Sequence, residues 1–312
     1  MQTILITGGT GLVGKALAKA IIQKGHAVII LTRKIPESHH GPGIRYARWD
    51  IPGGYIDPIA LADATAIIHL AGAGVMEKKW TPEYKDEILK SRVDSSTLLI
   101  QALKIYPHKV RSFISTSAIG FYGLDKDPVE PFIEEDSPAV DFLGETCKLW
   151  EESVEPATQM GIRLVKFRMG IVLTAYGGAL QEFLKPLQFR VAAILGNGKQ
   201  IISWVHLEDL CRMLIYALEK ETLNGTFNAV APLPVSNKEL TLTLAKTVRG
   251  KNYLSIHVPA FIIKLMMGKR STEVLKSTTV SCRKIIAEGF EFLYPSIDDA
   301  ISHLVATKDQ SL

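Results

Sequence analysis

Four glycines within seven residues are the first positions in this chain whose types and spacing imply a chemistry. The run Thr7-Gly8-Gly9-Thr10-Gly11-Leu12-Val13-Gly14 satisfies G-x-G-x-x-G through Gly9, Gly11 and Gly14, and G-x-x-G-x-x-G through Gly8, Gly11 and Gly14. Early glycines permit a tight turn out of a strand. Gly11 lets the backbone approach a diphosphate, and Gly14 lets a helix pack close to the sheet. The helix start then offers free N–H groups and a positive dipole end to phosphate oxygens. The chemistry implied is dinucleotide binding by Gly8, Thr10, Gly11, Leu12, Val13 and Gly14. Such a motif is weak alone. Here the apolar run at 3–6 precedes it, and Leu12, Val13, Ala16, Leu17, Ala20 and Ile21 recur at helical spacing behind it, which is the context that gives it meaning. The competing reading is a glycine-rich turn that holds no ligand.

The second β run selects the dinucleotide. Sites that prefer NAD usually place Asp or Glu about 20 residues past the motif, on the ribose 2′-OH. Here the run ends Leu31-Thr32-Arg33-Lys34, with no acid between His26 and Pro36. A carboxylate would repel a 2′-phosphate, whereas Arg33 presents a planar fork to it and Thr32 adds a hydroxyl. NADP(H) is therefore the expected cofactor; the alternative for Arg33 is a solvated side chain at a strand end.

These residues need elements to position them. Short β-branched runs at 4–7, 28–32, 66–70, 112–116 and 164–167 alternate with helical patterns, including one from about 82 to 104 and one from about 144 to 160. Strand, helix, strand in repetition predicts crossover units and a parallel sheet covered on both faces. After about residue 172, Gly177-Gly178 and Gly196-Asn197-Gly198 break the chain into shorter pieces, and 226–230 reads as one more strand. The expectation is an α/β Rossmann doubly wound parallel sheet formed by 1–172 with about 203–230. A smaller C-terminal substrate lobe, 173–202 and 231–312, closes over the strand ends, where ligands of open sheets sit.

Composition narrows the class. Lys and Arg number 36 against 32 Asp and Glu, for a formal charge of +4 spread along the chain. No basic stretch is long enough for a nucleic-acid surface. The three cysteines, Cys147, Cys211 and Cys282, are far apart and form no CxxC pair, which argues against a disulfide framework or zinc knuckle. His39-His40 has no third ligand placed to make a metal site. The first β run begins at once, with no leader ahead of it, and no apolar run is long enough to span a bilayer. A soluble cytoplasmic protein is expected. Its partner would be a small molecule, not nucleic acid or membrane, with a homodimer left open.

Taken together, residues 8–14, His69-Leu70-Ala71-Gly72-Ala73-Gly74, Ser91-Arg92, Ser117-Ala118-Ile119-Gly120-Phe121-Tyr122-Gly123 and Cys147-Lys148-Leu149-Trp150-Glu151 form a specific set. Arg168-Met169-Gly170-Ile171-Val172-Leu173, Gly177-Gly178, Ser203-Trp204-Val205-His206 with Asp209, and Val258-Pro259 extend it over nearly the whole chain. In these marks the sequence resembles the extended short-chain dehydrogenase/reductases, in particular the atypical epimerase-family branch with a small helical C-terminal domain. The resemblance implies that Leu70, Ala71 and Gly72 lie under the adenosine and pyrophosphate, and that Asp50 contacts the adenine amine. It also implies that Glu87 and Arg92 flank the cofactor, Arg92 where relatives often carry Asn, and that Val172 borders the nicotinamide. Without it, Glu87 and Arg92 read equally as a solvated helix surface.

The same resemblance exposes a gap. Ordinary members use Ser with a Y-x-x-x-K pair on one helix, the Lys lowering the Tyr pKa so that the phenol acts as acid or base. Ser117 and Lys148 stand at the expected places, but four residues before Lys148 is Gly144. Tyr122 is the nearest substitute, although it reads first as a structural residue. Cys147, beside Lys148, reads as a small buried apolar residue ahead of a reactive thiol. Trp204 and His206 fall on the segment that lines the substrate cleft in relatives, His206 as a conceivable proton donor; the plainer reading is a packed His, with Asp209 capping the next helix. Two functions follow. One is an NADP-dependent oxidoreductase or epimerase with an atypical catalytic set, acting on a small polar substrate. The other is a catalytically silent NADP(H)-binding sensor or scaffold.

Overall fold

Runs of β-branched residues buried on both faces make the centre of this protein. The computed structural model describes residues 1–36, 43–126 and 129–309; His39-His40 lies outside them. The chain runs β1 (Thr3–Thr7), α1 (Leu12–Gln23), β2 (Ala27–Thr32), β3 (Ile44–Asp50), β4 (Tyr55–Ile56), α2 (Pro58–Asp63), β5 (Ala66–His69) and α3 (Pro82–Ile105). It continues through β6 (Ser112–Ala118), α4 (Phe142–Val154), α5 (Pro156–Gln159), β7 (Arg163–Met169), β8 (Ile171–Thr174), α6 (Gly178–Leu187), β9 (Val191–Leu195), β10 (Ile201–Ile202) and β11 (Trp204–His206). Last come α7 (Leu207–Glu219), β12 (Gly225–Ala229), β13 (Val235–Ser236), α8 (Asn237–Arg249), β14 (Leu254–Val258), α9 (Ala260–Met267), α10 (Ser271–Leu275), α11 (Arg283–Ala287) and α12 (Ile297–Asp309).

The central sheet has eight strands in the order β12-β7-β6-β5-β1-β2-β3-β4. Seven are parallel, and only β4 runs against its neighbour β3. The order reverses direction at β1, so the carboxyl ends of β1 and β5 flank the crevice typical of doubly wound sheets. One face packs Ile4, Ile6, Val28, Ile30 and Ile68 against α1 and α7; the other packs Leu5, Ile29, Ile67 and Phe113 against α2 and α3. A third core, with Leu173, Leu180, Trp204, Leu240, Leu244 and Leu304, draws only on residues from 173 to 204 and from 231 onward.

Two departures from the sequence pattern have simple causes. The helix expected over about 144–160 begins earlier, at Phe142, because the Asp141 carboxylate caps it by accepting from Gly144 N at 2.8 Å. It breaks before Pro156, which has no N–H to continue the ladder. Strands β3 and β4 lie at the sheet edge, where several side chains meet solvent and the apolar run that marks a central strand is missing.

The C-terminal segment is stitched back onto the sheet domain. Thr278 Oγ1 donates to Gly123 O at 2.6 Å, Thr279 Oγ1 donates to Asp125 Oδ2 at 2.7 Å, and Phe132 N donates to Thr279 O at 2.8 Å. Deeper, a buried guanidinium ties α4 to the sheet. Arg168 Nε and Nη2 donate to the two Glu151 oxygens at 2.8 and 2.9 Å, and Nη1 donates to Tyr122 OH at 2.9 Å and Glu134 O at 3.0 Å. Removing one partner of a buried, bidentate pair leaves an uncompensated charge. Glu151→Ala should therefore lower unfolding free energy by about 3–5 kcal/mol in urea denaturation; a loss under about 1 kcal/mol, the scale of an exposed pair, would contradict this account.

Candidate cofactor site

At the carboxyl end of β1 the backbone turns at Gly8, whose φ of +67° lies in the left-handed region. A Cβ there would sit 2.8 Å from the Leu70 carbonyl. At Gly14 a Cβ would overlap the Gly8 carbonyl oxygen, so the first turn of α1 lies directly on the glycine turn. Gly11 N donates to Gly8 O at 3.0 Å and Gly11 is the N-cap of α1, yet no side chain caps the helix. Thr10, Gly11 and Leu12 are exposed around this end. Open N–H groups, a dipole end and a surface free of side chains are what a diphosphate needs. Leu12 reaches across to Gly177, bringing the turn after β8 to the same place.

The neighbouring strand end is held by a buried network. Thr7 Oγ1 accepts from Leu70 N and Ala71 N, both at 3.2 Å, and meets His69 Nδ1 at 2.7 Å. His69 is fully buried. Burial, with the nearby Arg92 charge, pushes its pKa down to about 3, so the ring is neutral at ordinary pH.

At the end of β2, Arg33 is exposed. The Thr32 hydroxyl instead closes the local turn: it donates to Lys34 O at 2.8 Å and accepts from Lys34 N at 3.3 Å. A phosphate at this strand end would compete with Lys34 O for that proton. Register places Arg48 of β3 directly beside Thr32, a second exposed cation that sequence spacing gave no reason to single out. Asp50 Oδ1 accepts from Gly53 N at 3.3 Å and shapes the turn after β3.

Deeper in the crevice, Arg92 lies with its guanidinium carbon 5.0 Å above the Trp150 ring and donates to Ile88 O at 2.8 Å. Glu87, one turn earlier on α3, is exposed and pairs with Lys78 at 2.9 Å. Val172 is half-buried in β8, paired in register with Val205. Ser117 is buried, and its hydroxyl makes no hydrogen bond of ordinary geometry; the Cys147 thiol is the polar group beside it. Burial pushes that thiol up to about 11, which fits a packed residue and not a nucleophile. Lys148 is half-exposed and makes no ion pair among the described residues.

The position of the absent tyrosine is closed. A Cβ on Gly144 would overlap the Ala139 carbonyl oxygen, so the loop before α4 fills the space from which a phenol would project. Tyr122 does not replace it. Its hydroxyl donates to Asn228 Oδ1 at 2.6 Å while accepting from Arg168, its ring stacks on Phe132, and burial raises its pKa to about 12. The suggestion of Tyr122 as a proton donor is corrected: the phenol belongs to the Arg168 network.

The two substrate candidates are both buried. Trp204 is fully buried in the third core, its indole N–H donating to Leu233 O at 3.0 Å. His206 is buried and caps α7 itself, Nδ1 accepting from Glu208 N at 3.1 Å. Asp209 is not the cap; it accepts from Leu293 N and Tyr294 N, both at 2.9 Å. Among the described residues, His206, Glu208 and His303 bring their ligand atoms within 4.8 Å of one another. The cap, however, fixes the His206 proton on Nε2, which faces His303 Nδ1 at 3.2 Å. A metal there would have to displace either that proton or the helix cap.

Fold and site together define a dinucleotide-binding α/β protein with a C-terminal helical appendage. Residues 4–229 match the NAD dependent epimerase/dehydratase family, and 258–304 match a domain of unknown function, DUF1731; the chain belongs to that epimerase/dehydratase family. It is 35% identical over 305 residues to an epimerase family protein of Staphylococcus saprophyticus, covering 98% of this chain and 100% of the relative. The Bacillus subtilis epimerase family protein YfhF is 32% identical, with 98% and 99% covered. The crystal structure of human epimerase family protein SDR39U1 with NADPH superposes at a TM-score of 0.85 and 26% identity, over 97% of this chain and 99% of that one. A Corynebacterium glutamicum nucleoside-diphosphate sugar epimerase gives 0.76 at 30% identity, over 99% and 61%. Among the described residues, no helix is long and apolar enough to cross a membrane.

His206 shares the electrostatic state of His69: burial and its neighbour His303 push it down to about 3. A histidine held near 3 in the fold and near 6.5 in the unfolded chain binds its proton only on unfolding over that window, so its stabilising contribution is present above pH 6.5 and lost as pH falls toward 3. Glu134 and Glu273, raised by burial, oppose part of this. Urea unfolding should show a loss of about 2 kcal/mol per histidine between about pH 7.5 and pH 5, and His206→Gln should show a visibly shallower fall. An unchanged slope in that variant would remove His206 from the account.

Proposed function

We propose that the chain binds NADP(H) along the glycine turn and acts as an oxidoreductase or epimerase-like enzyme of the atypical extended type, on a small polar substrate. The observation that carries the reading is the start of α1 on the Gly8–Gly14 contact, where no side chain caps the helix. The residues fit the cofactor. Thr10, Gly11, Leu12, Val13 and Gly14 would hold the diphosphate, Leu70, Ala71 and Gly72 with Asp50 the adenosine side, and Arg33 with Arg48 a 2′-phosphate. Glu87, Arg92 and Val172 would flank the remainder. Preference for NADP over NAD is supported by two exposed arginines and no acid at the end of β2, and by the NADPH in the human relative.

When bound, NADP(H) supplies hydride chemistry. The chain's task is to orient substrate and cofactor, to exclude water, and to manage a proton. Ser117 has a buried hydroxyl at the end of β6 with no hydrogen-bond partner of ordinary geometry among the described residues, and Lys148 has an ammonium on α4 with no ion pair among them. These two are the groups we assign to substrate oxygen. The substrate would lie between the sheet domain and the lobe built from 173–202 and 231–312. The name of the Corynebacterium relative supports a sugar-nucleotide type of molecule.

One observation favours the second reading, a sensor or scaffold that binds NADP(H) without turnover: the Ala139 backbone closes the tyrosine position at Gly144. Single-turnover mixing of NADPH-loaded protein with a panel of nucleotide sugars and small carbonyl compounds separates the two, loss of NADPH absorbance marking the enzyme. For cofactor choice, Arg33→Ala should weaken NADP(H) binding by about 1.5–3 kcal/mol, the scale of a hydrogen bond to a charged group, with NAD(H) binding little changed. Equal losses for both in a fluorescence titration would overturn the assignment of Arg33.

A further inference from the structure

A chain of buried hydrogen bonds runs from the glycine turn to Arg92, and its proton positions follow from counting donors. Thr7 Oγ1 accepts from Leu70 N and Ala71 N. A hydroxyl has one proton and two lone pairs, so with both pairs taken its proton must go to His69 Nδ1, 2.7 Å away. The neutral His69 ring therefore carries its own proton on Nε2 and donates it to Ser96 Oγ at 3.0 Å. Ser96 in turn donates to Arg92 O at 2.8 Å. Ser95 Oγ lies 3.4 Å from the same Nε2, and its one proton is shared between Ser91 O at 2.7 Å and Arg92 O at 3.0 Å. Thr7, His69, Ser95 and Ser96 are all completely buried.

Such a chain is an expensive way to join a strand to a helix. Each member gives up water, and apolar residues of similar size would fill the space with nothing to satisfy. What it provides is register: one geometry of the 91–96 turn of α3 against the end of β5. Arg92 needs that geometry. Arg92 is half-buried, with no carboxylate partner among the described residues, and its guanidinium is wedged against Trp150 and against Gly72, where a Cβ would come within 3.1 Å of the guanidinium carbon.

We propose that His69 is a positioning residue: acting through Ser96 it sets the backbone of Arg92, and so places the guanidinium for an anionic oxygen of the bound cofactor. This role rests on the NADP(H) reading above. It makes His69, which touches neither ligand nor solvent, a contributor to affinity.

A double-mutant cycle tests it, with NADPH binding followed by fluorescence titration and folding by thermal melts. Ser96→Ala removes the link without changing the packing volume much. It should weaken NADPH binding about five- to tenfold, the range of one buried hydrogen bond, and should have almost no further effect in an Arg92→Ala background, because coupled residues are non-additive. His69→Gln, which keeps an N–H donor, should retain more affinity than His69→Leu at matched thermal stability. If Ser96→Ala costs the same affinity with and without Arg92, or none in either, the positioning role is overturned. If the unmodified protein fails to bind NADPH, the cofactor reading itself falls and this inference with it.

Discussion

The contact between α1 and the turn beneath it is the constraint on which the rest of the site depends. Gly14 rests where any side chain would strike the Gly8 carbonyl, and Gly8 in turn leaves no room for a Cβ beside Leu70. Three segments thus approach at backbone distance: the end of β1, the start of α1 and the loop after β5. That closeness leaves the N-terminus of α1 facing open space, and Gly11 brings no side chain to cap it. A helix end without a cap has unsatisfied donors. At the topological switch of the sheet, such donors match the oxygens of a diphosphate.

The two halves of the crevice differ in how far they follow the family. The glycine-turn half keeps the family's small residues, and the Thr7 hydroxyl braces the 70–71 backbone beside it. The half where a proton would be moved is built differently. Gly144 is more than a missing phenol, because the backbone at 139 occupies its place, and restoring a tyrosine there would require the loop to move as well. The Tyr122 phenol is bound on both sides and the Cys147 thiol is pushed toward its neutral form. What remains in this half is the Ser117 hydroxyl and the Lys148 ammonium, with no phenol beside them among the described residues.

Much of this was legible in the sequence where the determinants are local. The glycine turn, the strand–helix alternation and the absence of an acid after β2 are short-range features, and the tyrosine gap follows from the spacing to Lys148. What failed to show are properties set by distant contacts. Trp204 and His206 sit in a segment that reads as a cleft wall, yet residues around 233, 294 and 303 bury them. Thr32 looks like a free hydroxyl until its turn forms and Lys34 O takes the proton. Arg48 becomes a neighbour of Thr32 only through strand register, which no single segment encodes.

The buried charges and rings follow one logic. Arg168 with Glu151, and His69 with Thr7 and Ser96, are polar assemblies that an apolar core would replace at lower desolvation cost. Each joins a helix flanking the site to a strand ending at it: Arg168 ties α4 to β7, and His69 ties α3 to β5. Apolar packing tolerates small slides of a helix across a sheet, while a hydrogen-bonded pair with every donor assigned does not. These two helices carry Lys148 and Arg92. Fixing them against the strands that end near Ser117 and Gly72 is how a sheet built mainly for stability comes to hold side chains in the crevice at defined positions.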